Sequence, residues 1–208
     1  MADTNLTAEP DGRRERLKTA NRQAILEAAR GVFARTGYEA TTVRDIIRET
    51  QLAAGTFYNY FKSKEEVFHA LASSSAARFR PVLRNVRERS DTFEDFISGA
   101  YRAYFQFLSD ENSEAISMGT PHVALIGVRV DTPEMQAVFE EIRGDVEAML
   151  AQGDIQKIDT EYLTAAAIGI ARDVGDHMLH RRPVDVQKAT DFATALLQSG
   201  ITGLMRQL

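Results

Sequence analysis

The sequence predicts an all-α protein of about nine helices, with a small N-terminal bundle followed by a larger C-terminal one. Three observations carry this expectation. Apolar residues recur at helical spacing along nearly the whole chain of 208 residues. Segments before residue 64 are short and closely punctuated by Gly, Thr and Ser, whereas those after it are long. The one strand-like run, VALIGVRV at 123–130, has no partner run nearby and reads as helix or loop.

Taken in order, residues 1–18 are polar and read as a mobile N-terminal arm. They lack the apolar core of a secretory signal. Ile25, Ala28, Ala29, Val32 and Phe33 make the first stripe, which ends at Gly37, a natural C-terminal cap. ATTVRDIIRET then offers Thr42 as an N-cap, with Val43, Ile46 and Ile47 as the buried face of a helix about two turns long. A third short helix covers about Ala54 to Tyr60. SKEE places Ser63 and Glu66 in capping-box spacing, so a fourth helix starts there and runs to about Arg89. Pro81 should kink or interrupt it. Four long stripes follow, over residues 93–108, 135–150, 162–178 and 189–205. Residues 109–132 are less regular and bracket one or two short helices.

Composition narrows the function classes. The chain is 44% apolar and 26% charged, ordinary for a soluble globular protein. It has no cysteine, which excludes disulfides, zinc-thiolate sites and thiol catalysis and fits a cytoplasmic location. No run of about 18 apolar residues exists, so no membrane span is expected. Net charge is −5, yet residues 13–64 hold eleven Lys/Arg against five acids. Residues 65–208 hold fourteen against twenty-two. That asymmetry suggests that one end meets a polyanion and the other does not. No Ser/His/Asp order, paired-carboxylate signature, phosphate-binding Gly-rich loop or HExxH is present, so the chain does not read as an enzyme and no cofactor is expected.

The strongest local signal lies in residues 20–68. Two short helices joined by a tight turn at Thr50 to Ala53, flanked by longer ones, are a helix-turn-helix arrangement whose second helix enters the major groove. Such short helices need buttressing, because they cannot stand alone. Phe57 and Phe61, at i and i+4, should lock into a core with Phe33, Ile46 and Ile47. Thr56, Tyr58, Asn59 and Tyr60 are then displaced outward, and Ala54 and Gly55 give a small profile at the helix start. Hydroxyls there would bond phosphate or base edges, and a Thr methyl would meet a thymine methyl. At the start of the second helix Thr42 is a further DNA-contact candidate and Arg44 is placed for a backbone clamp, and Lys64 sits at a helix start that attracts phosphate.

ILEAARGVFARTGYEATTVRDIIRETQLAAGTFYNYFKSKEEVFHAL resembles the DNA-binding domain of the TetR family of bacterial transcriptional regulators. The resemblance covers about residues 20–71. It rests on Phe-x-x-x-Gly-Tyr, the Thr-Thr before the second helix, and Gly-Thr-Phe-Tyr-x-Tyr-Phe-x-x-Lys. It departs at Ala53-Ala54, where many members carry Val-Ser or a similar pair, so base contacts would rest more on Thr56, Tyr58 and Asn59. The resemblance implies a helix-turn-helix DNA-binding domain over 19–64 and a ligand-binding and dimerisation domain over 65–208. It also implies a homodimer on a palindromic double-stranded DNA operator, released by a small-molecule effector, with the fourth helix as the lever between pocket and head. The Ala- and Gly-rich helices at about 160–180 and 186–207 are the expected dimer interface, since small residues let helices approach closely.

Weaker candidates belong to the second domain. Tyr101, Tyr104 and Phe105 would line a largely apolar effector pocket if their stripe faces a cavity; otherwise they pack as core, and Phe107 lies off the stripe. His122, after Pro121, would gate or polarise such a pocket. Arg172 would meet a ligand carboxylate or pair with Asp176 at i+4, and the ion pair is the preferred reading. Asp173, His177 and His180 read as a helix end with dipole-friendly histidines rather than a metal face. The leading expectation is a ligand-responsive repressor. The alternative is an all-α small-molecule-binding module whose head docks a protein.

Overall fold

The computed structural model describes residues 10–118, 132–152 and 158–206. Among these the regular elements are nine helices: α1 (Pro10–Thr36), α2 (Val43–Glu49), α3 (Ala54–Tyr58), α4 (Lys64–Glu88), α5 (Phe93–Glu111), α6 (Ser113–Met118), α7 (Pro133–Gln152), α8 (Thr160–His180) and α9 (Val186–Met205). The strand-like run at 123–130 lies outside the described residues. The chain divides into two compact units, Met1–Ala70 and Leu71–Leu208, and α4 crosses the division. Among the described residues no helix is long and apolar enough to cross a membrane.

In the first unit α1 buries Ile25, Leu26, Ala29, Val32 and Phe33. It starts at Pro10, so residues 10–18, expected as part of the arm, are helical. Pro suits a first helical position, and Arg, Glu, Lys and Leu are good helix formers. The helix closes at Gly37, whose φ of 78° is the left-handed conformation that glycine adopts without strain. Its amide donates to the Phe33 carbonyl at 2.9 Å. Buried Thr41 donates to the Gly37 carbonyl at 2.6 Å and shares a 2.8 Å bond with the Thr36 hydroxyl, which fixes the entry to α2. Ile46 is fully buried, while Val43 and Ile47 are half-buried.

The third helix is shorter than expected. α3 ends at Tyr58, with Asn59 as its C-cap. The amides of Tyr60 and Phe61 both donate to the Phe57 carbonyl, at 2.9 and 3.0 Å, and close the segment as a turn. At the start of α4 the Glu66 amide donates to the Ser63 hydroxyl at 3.3 Å. The Glu66 carboxylate reaches one residue past the cap, accepting from the Lys62 amide at 2.7 Å. Pro81 lies inside α4 on its exposed side and does not interrupt it.

In the second unit α5 is central, packing against α8 and α9 and more lightly against α7. It buries Phe96, Ile97, Tyr101, Phe105 and Leu108. α8 comes close at Gly175, where an added Cβ would stand 2.7 Å from Leu108 Cδ1 and 3.3 Å from Phe105 Cε1. A larger residue there would force the helices apart. α7 is tied to α4 by Arg80 with Glu141, by Arg87 with Asp145 at 3.5 Å, and by the Ser73 hydroxyl donating to Glu134 at 2.7 Å. Asp159 and Asp185 cap α8 and α9, each accepting from backbone amides of the first turn.

Candidate nucleic-acid interface

The five residues of α3 have two unlike sides. Behind, Phe57 is 1% exposed and Phe61 is buried, their rings 6.2 Å apart. The same unit holds an aromatic cluster in which Phe68 meets Phe33 edge-on at 5.6 Å and Tyr38 at 4.7 Å. In front, Ala54, Gly55, Tyr58 and Asn59 are exposed and Thr56 is half-buried. Tyr58 is 56% exposed and leans edge-on against Phe57 at 5.4 Å. The helix is therefore held from the rear while its side chains of mixed polarity face outward. A groove-reading helix needs this division.

Other sequence candidates are engaged within the head. The Tyr60 hydroxyl accepts from Asn21 Nδ2 at 3.4 Å, and Arg22 lies 5.3 Å over the Phe61 ring. Both interactions tie α1 to the end of α3. Thr42 caps α2 through a full capping box: its hydroxyl donates to Asp45 Oδ2 at 2.6 Å and accepts from the Asp45 amide at 3.3 Å. The Thr42 amide also donates to that carboxylate, at 3.0 Å. The hydroxyl bond first, then the amide bond, holds the Asp45 carboxyl below its ordinary range. Arg44 is exposed in the first turn of α2.

Lys64 differs from the expectation of an ammonium turned to phosphate. Its Nζ donates to the carbonyls of Tyr38 at 2.9 Å and Glu39 at 3.1 Å, and sits 4.6 Å over the Tyr38 ring. The turn after α1 presents carbonyls without helical donors, and the cation at the head of α4 satisfies them. Tyr38 completes the link, its hydroxyl donating to Glu65 at 3.3 Å. Burial and then the Glu65 charge push the Tyr38 hydroxyl pKa up. Sequence reasoning did not pair Tyr38 with Lys64. The only available signal was an aromatic directly after the capping glycine.

In the second unit Tyr101 and Phe105 are buried and stacked, 6.0 Å apart at 7°. The Tyr101 hydroxyl donates to the Ala167 carbonyl at 3.2 Å, and burial raises its pKa. Tyr104 is half-buried and meets Phe79 edge-on at 5.4 Å. Burial raises its pKa too, against the nearby Arg172 charge, which lowers it, and with Asp176 and Glu111, which raise it. The structure thus brings Tyr101, Tyr104 and Phe105 together with Arg172 within electrostatic reach of Tyr104. The preferred Arg172–Asp176 pair is replaced: Arg172 Nε donates to Asp173 at 3.0 Å, and the Asp176 carboxylate is turned toward the His180 ring at 3.7 Å. His122 lies outside the described residues. A cleft of about 350 Å³ between α4 and α7, lined by Ala76, Ala77, Arg80, Pro133, Glu134 and Ala137, includes none of the ligand candidates.

The stripes of α8 and α9 divide between two faces. Leu163, Ala167, Met178, Ala193, Leu197 and Ile201 are buried. Tyr162 is 77% exposed and Phe192 60%, with Leu196, Leu204 and Met205 also outward. Among them stand the exposed small residues Ala165, Ala166, Ala195, Gly200 and Gly203.

Comparison with known proteins agrees with this layout. Residues 25–71 match the family model described as bacterial regulatory proteins, tetR family. The chain is 27% identical over 176 residues to the HTH-type transcriptional regulator TcmR of Streptomyces glaucescens, covering 83% of this chain and 77% of that one. Over 65 residues it is 45% identical to the HTH-type transcriptional repressor AcnR of Corynebacterium glutamicum, covering 31% of this chain and 35% of AcnR. Its fold is shared with the transcriptional regulator FadR of Bacillus subtilis, solved in complex with stearoyl-CoA. There the TM-score is 0.65 at 20% identity, over 86% of this chain and 98% of FadR.

Proposed function

The chain belongs to the TetR family of bacterial transcriptional regulators, and from that premise we propose that it is a repressor. In this reading it binds a palindromic operator as a homodimer and is released by a small, largely apolar effector. The observation that carries the reading is the two-sided α3, with Phe57 and Phe61 buried behind and Tyr58, Asn59, Ala54 and Gly55 exposed in front. Thr56, Tyr58 and Asn59 are the base readers. Arg44 clamps the backbone, while Thr42 and Lys64 hold the head in shape around them.

The outward apolar faces of α8 and α9 support the dimer. A monomer would leave Tyr162, Phe192, Leu196, Leu204 and Met205 in water beside small residues that admit a second helix pair. Two heads on a two-fold axis read two half-sites about one helical turn apart or a multiple of it. Tyr101 and Phe105 pack as buried core, so an effector site in this unit would rest on half-buried Tyr104, with Arg172 nearby as its polar end. FadR, held with stearoyl-CoA, offers a precedent on this fold for a ligand that joins a long apolar chain to a charged end. α4 supplies Val67 and Phe68 to the head and Ala76, Phe79 and Leu83 to the body core, so it is the element an effector would bias. The effector must prefer the DNA-incompetent arrangement, since tight binding alone shifts nothing.

Footprinting on the promoter upstream of the chain's own gene tests the reading. Two protected half-sites related by a dyad, lost together in Tyr58→Ala, are expected. A single asymmetric footprint would overturn the homodimer on a palindrome.

A further inference from the structure

The first helix is longer than the head requires. α1 begins at Pro10, but its first buried residue is Ile25, and every described side chain from Gly12 to Ala20 is exposed. Residues 10–20 therefore project by about 16 Å at the usual rise per residue. Such an extension gains nothing from packing, and an unpacked helix is marginal in water.

Its composition points to a ligand. Between residues 10 and 20 stand Arg13, Arg14, Arg16 and Lys18 against two acids, Asp11 and Glu15. Its direction is set by two interactions at its base: Asn21 donates to the Tyr60 hydroxyl, and Arg22 lies over Phe61. Both partners follow directly on the C-terminal end of α3. Three, four and seven residues before Asn21 on the same helix face come Lys18, Leu17 and Arg14. Leu17 is 61% exposed, an apolar residue with no core to enter. The basic face of the extension thus continues the surface that α3 presents.

We infer that residues 10–20 form a basic helical rod that grips the phosphates of duplex DNA flanking the half-site. This rests on the DNA-binding reading above and adds to it a sequence-independent contact outside the helix-turn-helix. The rod's length matches about five phosphate steps along one strand. Charge complementarity selects the phosphate backbone over base edges, since Arg and Lys on an exposed helix bring charge without a fixed reading geometry.

The test measures log K against log salt for the full chain on its promoter duplex and on a random duplex of the same length. Wild type is compared with Arg14→Gln/Lys18→Gln. The double variant gives up two phosphates on each of two protomers, so at about 0.9 per phosphate the slope should fall by about 3.6. Affinity should drop by the same factor on both duplexes, and the charge-keeping Arg14→Lys/Lys18→Arg should restore the wild-type slope. Both positions are exposed, so the melting curve should not move. If wild type binds DNA and the double variant keeps its slope, the rod is overturned while the DNA reading stands. A slope kept together with a change in sedimentation would place the rod on the acidic body of another copy instead. If wild type binds neither duplex, both readings fall.

Discussion

Truncating Phe57 and Tyr58 separately dissects the recognition helix, because these neighbours touch edge-on but one is buried in the core and the other is largely exposed. Phe57 is 1% exposed, so Phe57→Ala removes a fully buried ring and should cost about 3–5 kcal/mol. A unit of the head's size is stable by roughly 4–10 kcal/mol. The loss should therefore raise the unfolded fraction of the head by about a thousandfold. Tyr58 is 56% exposed and gives up only its edge-on packing with Phe57, about 0.5–1 kcal/mol. Hydrogen exchange of α2 and α3 amides reads these local stabilities, and anisotropy on labelled promoter duplex reads binding. Phe57→Ala should lose amide protection and binding together. Tyr58→Ala should keep its protection to within about tenfold while losing promoter preference. Equal losses of protection in the two variants would show that α3 does not face its side chains as described, and the assignment of readers would fall with it.

Lys64→Ala should lower the melting temperature of the head, since it removes charged donors from the Tyr38 and Glu39 carbonyls, at a cost of about 1–2 kcal/mol. The salt slope of DNA binding should change by less than one phosphate's share per protomer; a larger change with unaltered melting would return Lys64 to the phosphate contacts. Thr42→Ala should destabilise α2 by about 1 kcal/mol, seen as faster exchange of the Asp45 amide. Asp45 titrates below its ordinary value, so its contribution is complete above the ordinary carboxylate pKa and is lost as pH falls through the depressed one. Acid titration followed by circular dichroism should show this loss in wild type and not in Asp45→Asn. Phe192→Glu should leave the protomer folded and convert dimer to monomer in sedimentation, whereas an unchanged dimer would move the interface away from α9.

The helix order and the helix-turn-helix were legible because they rest on local rules. Thr42 capping α2, Gly37 closing α1 and the inward pair Phe57 and Phe61 all follow from spacing and residue type. The contacts of Lys64 within the head were not legible because its partners, the carbonyls after Gly37, lie 25 and 26 residues away in sequence. No periodicity shows such a pairing. The expected third helix ran too far since Asn59 and Tyr60 continue the helical pattern, while the chain turns there to bring Phe61 inward. The stripes of α8 and α9 were legible, but periodicity cannot say that one stripe serves two faces. Tyr162 and Phe192 read like Leu163 and Ala193 until burial separates them. In Arg172 the i+4 rule lost to its immediate neighbour Asp173, which accepts from Arg172 Nε at 3.0 Å.

The central claim is that this chain recognises a specific duplex through the front of α3. The most direct measurement is fluorescence anisotropy of the full chain on its own upstream promoter against a shuffled duplex of the same length, at one fixed salt concentration. Specific regulators prefer their site by at least about a thousandfold. A preference of that order, collapsing toward unity in Tyr58→Ala with the protein still folded, is the expected result. Equal affinity of the wild-type chain for promoter and shuffled DNA would contradict the claim.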